Sequence, residues 1–260
     1  MHDSMARFRK EDPQAPRCFF EAEAAGLQWL ADAGGARVAD VHGVGPGWIE
    51  IEHVELTAPT ANAARAFGEA LARTHLAGAP AFGVSPAGWN GPLFIGSRQM
   101  PNTTSATWGV FYAQTRVLPF LDTAVRAGHL TSTERDVVRE ACSVIEAGAF
   151  DDDEPPARIH GDLWAGNVLF SPTDVVLIDP AAHGGHRETD VAMLALFGAP
   201  YLDEMVSAYD RTAPLRAGWQ DRIAVHQLHP LAVHAAGHGR SYGLQLVRAA
   251  QATLALALAN

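Results

Sequence analysis

Three side chains able to accept a proton or hold a hard cation fall within one short stretch. Asp162 lies in Arg158-Ile159-His160-Gly161-Asp162-Leu163-Trp164-Ala165-Gly166-Asn167-Val168-Leu169-Phe170, with Asn167 five residues on and Asp179 twelve beyond that. Asp162 and Asn167 share a tight loop. Asn167 opens one apolar run and Asp179 closes the next, so a short hairpin brings Asp179 back beside Asn167. Phosphoryl transfer needs this set: a carboxylate for the proton of the attacking hydroxyl, and an amide–carboxylate oxygen pair to hold Mg²⁺ on nucleotide phosphates. A plain surface turn followed by a hairpin would use the same residue types; the apolar strands placed after the motif favour the site.

The elements that must position these groups are partly readable. Residues 6–10 suggest a short strand. Phe19, Phe20, Leu27 and Leu30 recur near helical spacing over Cys18–Ala33, and Gly34-Gly35 ends that helix. Val38–Val44 and Trp48–Val54 flank Gly45-Pro46-Gly47 as a hairpin. Gly43, Gly45 and Gly47 read as its turn rather than as a phosphate loop. An alanine-rich helix over Ala61–Leu76 follows. The aperiodic, Gly/Pro/Asn-rich residues 78–107 then suggest a functional loop or lid. Helices are expected over Trp108–Ala127 and Ser132–Ala147, the latter capped by Ser132. Asp151-Asp152-Asp153-Glu154 with Pro155-Pro156 reads as a solvated connector. Two β-rich runs, Asn167–Phe170 and Val175–Ile178, precede a helical remainder broken near Pro214 and Gly218, with Thr253–Leu258 as a core-packing end. The expectation is an α+β, two-lobed chain: a small β-containing lobe over residues 1–55 and a mostly helical lobe over 56–260.

Composition bounds the partners. Of 260 residues 48% are hydrophobic, enough for a real core, and the net charge of −10 offers no basic stripe for nucleic acid. There is no apolar run of membrane-spanning length and no signal-peptide pattern at Met1-His2-Asp3-Ser4. Two cysteines, Cys18 and Cys142, do not make a disulfide framework, so a cytoplasmic location is the default. Eighteen of the nineteen basic residues are arginine, and the single lysine is Lys10. A chain so biased keeps lysine where a compact ammonium is needed and a planar fork is not. The histidines 226, 229, 234 and 238 have some helical spacing but no cysteine nearby, and zinc is set aside.

The spacing of Asp162 and Asn167, with a later metal-binding Asp179, matches the protein-kinase catalytic loop. His160-Gly161-Asp162 with Asn167 resembles the aminoglycoside phosphotransferase and protein-kinase-like superfamily. His160–Asn167 read whole, Leu177-Ile178-Asp179-Pro180 and Gly185-His186-Arg187-Glu188-Thr189-Asp190 resemble the fructosamine (ketosamine) kinase family. So do Phe8-x-Lys10, Phe20–Ala24, Gly88-Trp89-Asn90, Ile95-Gly96 and Gln227–His234. The resemblance implies a protein-kinase-like two-lobed fold, ATP and Mg²⁺, and phosphorylation of a sugar hydroxyl on a glycated amine, small or protein-bound, which frees the amine. It implies Asp162 as catalytic base and Asn167 and Asp179 as Mg²⁺ ligands. Lys10 would sit on the ATP phosphates, paired with Glu23, and Glu52–Val54 would be the hinge whose backbone meets adenine. Asp190 would brace the catalytic loop. Trp164 is either a wall for the sugar or core packing, and His183 and His186 are candidate substrate contacts. An aminoglycoside or other small-alcohol phosphotransferase, or a nucleotide-binding pseudokinase, are the alternatives. The family carries a glycine-bearing hairpin ahead of its lysine strand. Only nine residues precede Lys10, so the expectation is either a start further upstream or a missing phosphate lid.

Overall fold

The computed structural model describes residues 6–259. β1 (Arg7–Glu11) leads through a turn to α1 (Phe19–Ala31), whose packed face carries Phe20, Leu27, Trp29 and Leu30 and one buried charge, Glu23. β2 (Arg37–Val38), β3 (Val41–Gly45) and β4 (Trp48–Glu52) follow. β4 alternates in the strand period of two, burying Ile49 and Ile51. It sits between β1 and β3, antiparallel to both, and Lys10 is the one residue of β1 turned from solvent. Gly43 and Gly45 lie under the Trp48 indole, where a Cβ would stand 3.2 and 2.7 Å from the ring. These glycines serve the hairpin.

The expected strand over Val38–Val44 is split. Arg37–Val38 runs parallel to Val175–Leu177 instead, and only Val41–Gly45 enters the hairpin. The two apolar strands after the Asp162 loop, β8 (Val168–Phe170) and β9 (Val175–Leu177), thereby gain a third strand, and Val38 is buried against them.

α2 (Ala61–Leu76) is capped by Thr60, whose Oγ1 accepts from the Ala63 N–H at 3.2 Å. Inside the aperiodic 78–107 segment lies an unforeseen hairpin, β5 (Leu93–Ile95) with β6 (Arg98–Met100). The expected helix over Trp108–Ala127 is α3 (Trp108–Phe111) and α4 (Leu118–Arg126) joined by a wider π turn, Tyr112–Val117, just ahead of Pro119. That turn buries Arg116. α5 (Ser132–Glu146) is capped by Thr131, not Ser132: Thr131 Oγ1 accepts from Glu134 N–H at 3.2 Å and Glu134 Oε2 accepts from Thr131 N–H at 2.8 Å.

β7 (Ala157–Ile159) pairs with β10 (His183–Gly185) on either side of the Asp162 loop. α6 (Glu188–Phe197), α7 (Leu202–Thr212), α8 (Trp219–His226), α9 (Leu228–Gly237) and α10 (Arg240–Ala259) complete the chain. Within α10 Thr253 is buried, but Leu258 is exposed, so the last turn leaves the core. The acidic run before β7 is not a solvated connector. Asp151 Oδ1 accepts the Gly109 N–H at 2.7 Å, Asp152 is paired with Arg216, and Glu154 is forked by Arg187. Asp151 completes a helix end and Glu154 a buried guanidinium, a use invisible in composition.

Two hydrophobic cores result. One is helical, holding Phe111, Leu121, Ile145, Leu228 and Leu246. The other joins Leu27, Leu30, Ile49 and Ile51 to Leu163, Val176 and Leu177, and to Phe67, Met205 and Tyr209 of α2 and α7. The loop of Asp162 and Asn167 therefore rides on a core shared with the N-terminal strands. No helix among the described residues is long and apolar enough to cross a membrane.

Candidate active site

Lys10 on β1 reaches across to α1 and to the residue after β9. Its Nζ donates to Glu23 Oε1 at 2.5 Å and to Asp179 Oδ1. Burial opposes the ammonium, but the two carboxylates outweigh it and raise the Lys10 pKa. Burial acts on Glu23 in the other direction and raises its pKa despite Lys10. The one lysine of the chain thus ties together the sheet, the helix and the strand end that carries Asp179.

Asp162 follows a turn that only glycine fits. Gly161 has φ +81°, and a Cβ there would run into the Ala181 carbonyl oxygen. Asp190, fully buried at the start of α6, fixes this turn: Oδ2 accepts from His160 N–H at 2.7 Å and Oδ1 from Gly161 N–H at 2.9 Å. His75 of α2 adds its Nε2 to Oδ2 at 3.1 Å and holds Tyr209 OH on Nδ1 at 2.7 Å. The His160 ring spans the loop as well. Its Nδ1 accepts from Asp162 N–H at 3.2 Å, so Nε2 carries the proton donated to Ile178 O at 2.9 Å.

Asn167 Nδ2 donates to Asp162 O at 2.8 Å and lies 3.4 Å from Asp162 Oδ2. Its Oδ1 remains as the unshared acceptor. Asp179, at φ +55°, keeps a half-exposed carboxylate with only one oxygen on Lys10. Two hard oxygen groups facing one space fit Mg²⁺. Burial first, and then the nearby Asp179 charge, push the Asp162 carboxyl up to about 7. These groups line a cleft of about 260 Å³ whose walls include Phe19 of α1 and Phe94 of β5.

The structure thus brings together Lys10, Glu23, Asp162, Asn167 and Asp179, with Trp164 on the cleft wall, 41% exposed. Trp164 is therefore a wall residue and not core. Glu52 and Val54 do not line this cleft. The Glu52 carboxylate is taken by Arg37 at 2.5 Å and its N–H by Asp40 O at 2.8 Å, while the Val54 N–H has no partner among the described residues. The expectation that His183 and His186 contact substrate is corrected: both are buried away from the cleft. His183 Nδ1 donates to Ala181 O at 2.7 Å, leaving Nε2 to accept from Arg116 Nε at 3.3 Å. His186 packs, tilted, against Trp108 and His226.

His186, Glu188 and His226 place ligand atoms within 4.8 Å of one another. Their donors are already committed, however. Arg222 forks both Glu188 oxygens, at 2.6 and 2.9 Å, and the Glu188 N–H on His186 Nδ1 puts that ring's proton on Nε2, toward Asp152. This is a paired core network and not a metal cradle.

A family model described as fructosamine kinase matches residues 2–256. The chain belongs to the fructosamine kinase family. It is 32% identical over 250 residues to a probable ketoamine kinase of Enterococcus faecium, covering 93% of this chain and 85% of the relative. A solved structure from Thermobifida fusca, provisionally named fructosamine-3-kinase, is 46% identical, with a TM-score of 0.90 over 98% of this chain and 87% of that one. A choline/ethanolamine kinase family protein from Mesorhizobium loti shares the fold at 20% identity and a TM-score of 0.57, covering 92% and 84% of the two chains. The protein-kinase-like architecture of this fructosamine kinase family member follows from both structures. Phe19, Phe94 and His75 are site residues that spacing did not reveal: Phe19 read as one of the apolar residues of a helix, Phe94 lay in what read as a loop, and His75 lies 115 residues from the Asp190 it serves.

Proposed function

We propose that this chain transfers the γ-phosphoryl group of ATP to a sugar hydroxyl of a ketosamine, with residues 1–55 and β8–β9 on the nucleotide side and the remainder of residues 56–260 holding the base and the acceptor. The acceptor oxygen attacks the γ-phosphorus as its proton passes to Asp162, and the bond to the β–γ bridging oxygen breaks to release ADP. The carboxyl of Asp162, pushed up to about 7 by its burial and by Asp179, is suited to a general base at neutral pH. Asn167 Oδ1 and the Asp179 carboxylate would hold Mg²⁺, which when bound draws charge from the phosphate oxygens. With nucleotide present Lys10 would exchange Asp179 for phosphate oxygens while Glu23 keeps it oriented. The Val54 N–H, without a partner among the described residues, supports a backbone contact to adenine, alongside the Glu52 backbone carbonyl. Phosphorylation at the sugar O3, the position named for the Thermobifida fusca relative, would place a good leaving group on the carbon next to the ketosamine carbonyl; after enolisation toward C1 the C3–O bond breaks to expel phosphate, and water then hydrolyses the C1 imine to release the amine and a 3-deoxyosone.

The observation that carries this reading is the convergence of Glu23, Asp162, Asn167 and Asp179 on one cleft, with Lys10 bonded to both Glu23 and Asp179 at its edge. ADP release with Mg-ATP and a 1-deoxyfructosyl amine tests it, with ³¹P NMR on the product. Ketosamine-dependent ADP release together with a sugar phosphomonoester signal is expected. Turnover of an aminoglycoside but of no ketosamine would replace this reading with the small-alcohol phosphotransferase one.

A further inference from the structure

A second cleft, of about 300 Å³, adjoins the first across Asp162, Trp164 and Gly96, which line both. Its other walls are the β5–β6 turn with Arg98 and the end of α9 with His234, Gly237 and His238. A ring wall backs it: Trp164 meets Phe197 at 6.2 Å between centroids, Phe197 meets His234 at 5.0 Å, and His234 meets Tyr242 at 4.9 Å. Such a wall suits a hydrocarbon stem leading away from Asp162.

Arg98 is the unexplained group here. It is half-buried, and its only hydrogen bond among the described residues is from Nη2 to Ala236 O at 3.1 Å. Most buried or half-buried arginines here have a carboxylate: Arg37 has Glu52, Arg187 has Glu154 and Arg222 has Glu188. Arg98 makes no ion pair with any described residue. The guanidinium lies on Gly237, where a Cβ would stand 2.5 Å from Nη2, so the backbone beneath it is shaped to admit it. Asp162 and Asp179, and the phosphates they serve, make this region repel an anionic acceptor. A guanidinium with open donors at the far wall reverses that repulsion at one place, and its fork matches a carboxylate.

We propose that the amine half of the ketosamine lies in this second cleft and that Arg98 binds its carboxylate, which makes the adduct of a free amino acid preferred over one on an internal protein lysine. The proposal rests on the ketosamine kinase reading above. It is tested with two acceptors that differ in one charge at a distance from the reacting amine: Nε-(1-deoxyfructosyl)-Nα-acetyl-lysine and its carboxamide. ADP release is followed at saturating Mg-ATP for the full chain and for Arg98→Gln. Wild type should favour the carboxylate by about tenfold or more in kcat/KM, the scale of a hydrogen bond to a charged group, and Arg98→Gln should bring the ratio within about twofold of unity. Because both acceptors meet the same preparation, the ratio is blind to the folded fraction. Should Arg98→Gln fail to fold by circular dichroism, Arg98→Lys carries the test through a ratio below that of wild type. A wild-type ratio near one, or a ratio that survives the substitution, overturns the assignment of Arg98. Absence of ADP release with both acceptors in wild type would instead overturn the ketosamine reading itself.

Discussion

Asp190→Asn should both destabilise the fold and slow catalysis, and the structure sets the size. The carboxylate is fully buried and accepts three hydrogen bonds: two on Oδ2, from His160 N–H at 2.7 Å and His75 Nε2 at 3.1 Å, and one on Oδ1, from Gly161 N–H at 2.9 Å. An asparagine has one acceptor oxygen. Whichever way the amide turns, its NH₂ faces an N–H, and at least one buried donor, Gly161 N–H in the better orientation, loses its partner at a cost of about 1–3 kcal/mol. The bonds that survive lose their charge assistance, about 1 kcal/mol each. Relief of carboxylate desolvation works the other way, so about 3 kcal/mol is the expected net loss. For a chain of this size that lowers Tm by roughly 6–12 °C. The two backbone N–H groups involved set the turn that aims Asp162, so kcat should fall on the order of 10²-fold, as for a small misplacement of a reacting group. Burial alone would raise the Asp190 pKa, but the hydrogen bonds from His75 and from the His160 backbone lower it. A depressed folded pKa means that its stabilisation is present above the ordinary carboxyl value and is lost as pH falls through the folded one. Urea unfolding at pH 7, paired with the ADP-release assay, checks both effects. A stability change below about 0.5 kcal/mol with unaltered kcat would refute the bracing role.

Asp162→Asn keeps the shape of the loop but removes the proton acceptor, so kcat should fall by about 10²–10⁴ with Mg-ATP affinity retained; steady-state kinetics beside calorimetric titration check it, and turnover within threefold of wild type refutes it. Lys10→Arg keeps the charge but places a planar fork where a point ammonium meets Glu23 and Asp179, so KM for ATP should rise and kcat fall by about tenfold or more; wild-type constants for both would show that the ammonium geometry is immaterial. Burial lowers the pKa of His160, His183, His226 (to about 4) and His229 (to about 3). Each is held neutral, so its contribution is complete above the unfolded value of about 6.5 and is lost as pH falls toward the folded values. Urea midpoints should therefore begin to drop near pH 6.5 and keep falling to pH 5, and a flat profile over that range would contradict it.

What could be read from the sequence follows the distance over which each feature is encoded. Asp162, Asn167 and Asp179 lie within one loop and one hairpin, so residue type and spacing suffice to place them together, and the structure joins them as that spacing implies. The long helices were legible because a 3.6-residue period repeats several times in α1, α2 and α5. The three-residue strands β5 and β6 hold too few residues for a period of two to register, so the hairpin that supplies Phe94 and Arg98 to the two clefts was hidden in what read as loop. β2, two residues long, was absorbed into its neighbour because its parallel partner β9 lies about 140 residues on, and no local pattern encodes such a pairing. The acidic run before β7 misled for a related reason: charge density suggested solvent, whereas Asp152 and Glu154 are consumed by Arg216 and Arg187 from distant parts of the chain. His183 and His186 illustrate the same limit from the other side. Both lie close in sequence to Asp179, yet β10 carries them under the loop, where Arg116 and Asp152 take their ring nitrogens and leave nothing to offer a substrate. Lys10 is the exception that composition made visible. Its contact with Asp179 spans 169 residues, and its isolation among eighteen arginines pointed to a position where only an ammonium serves.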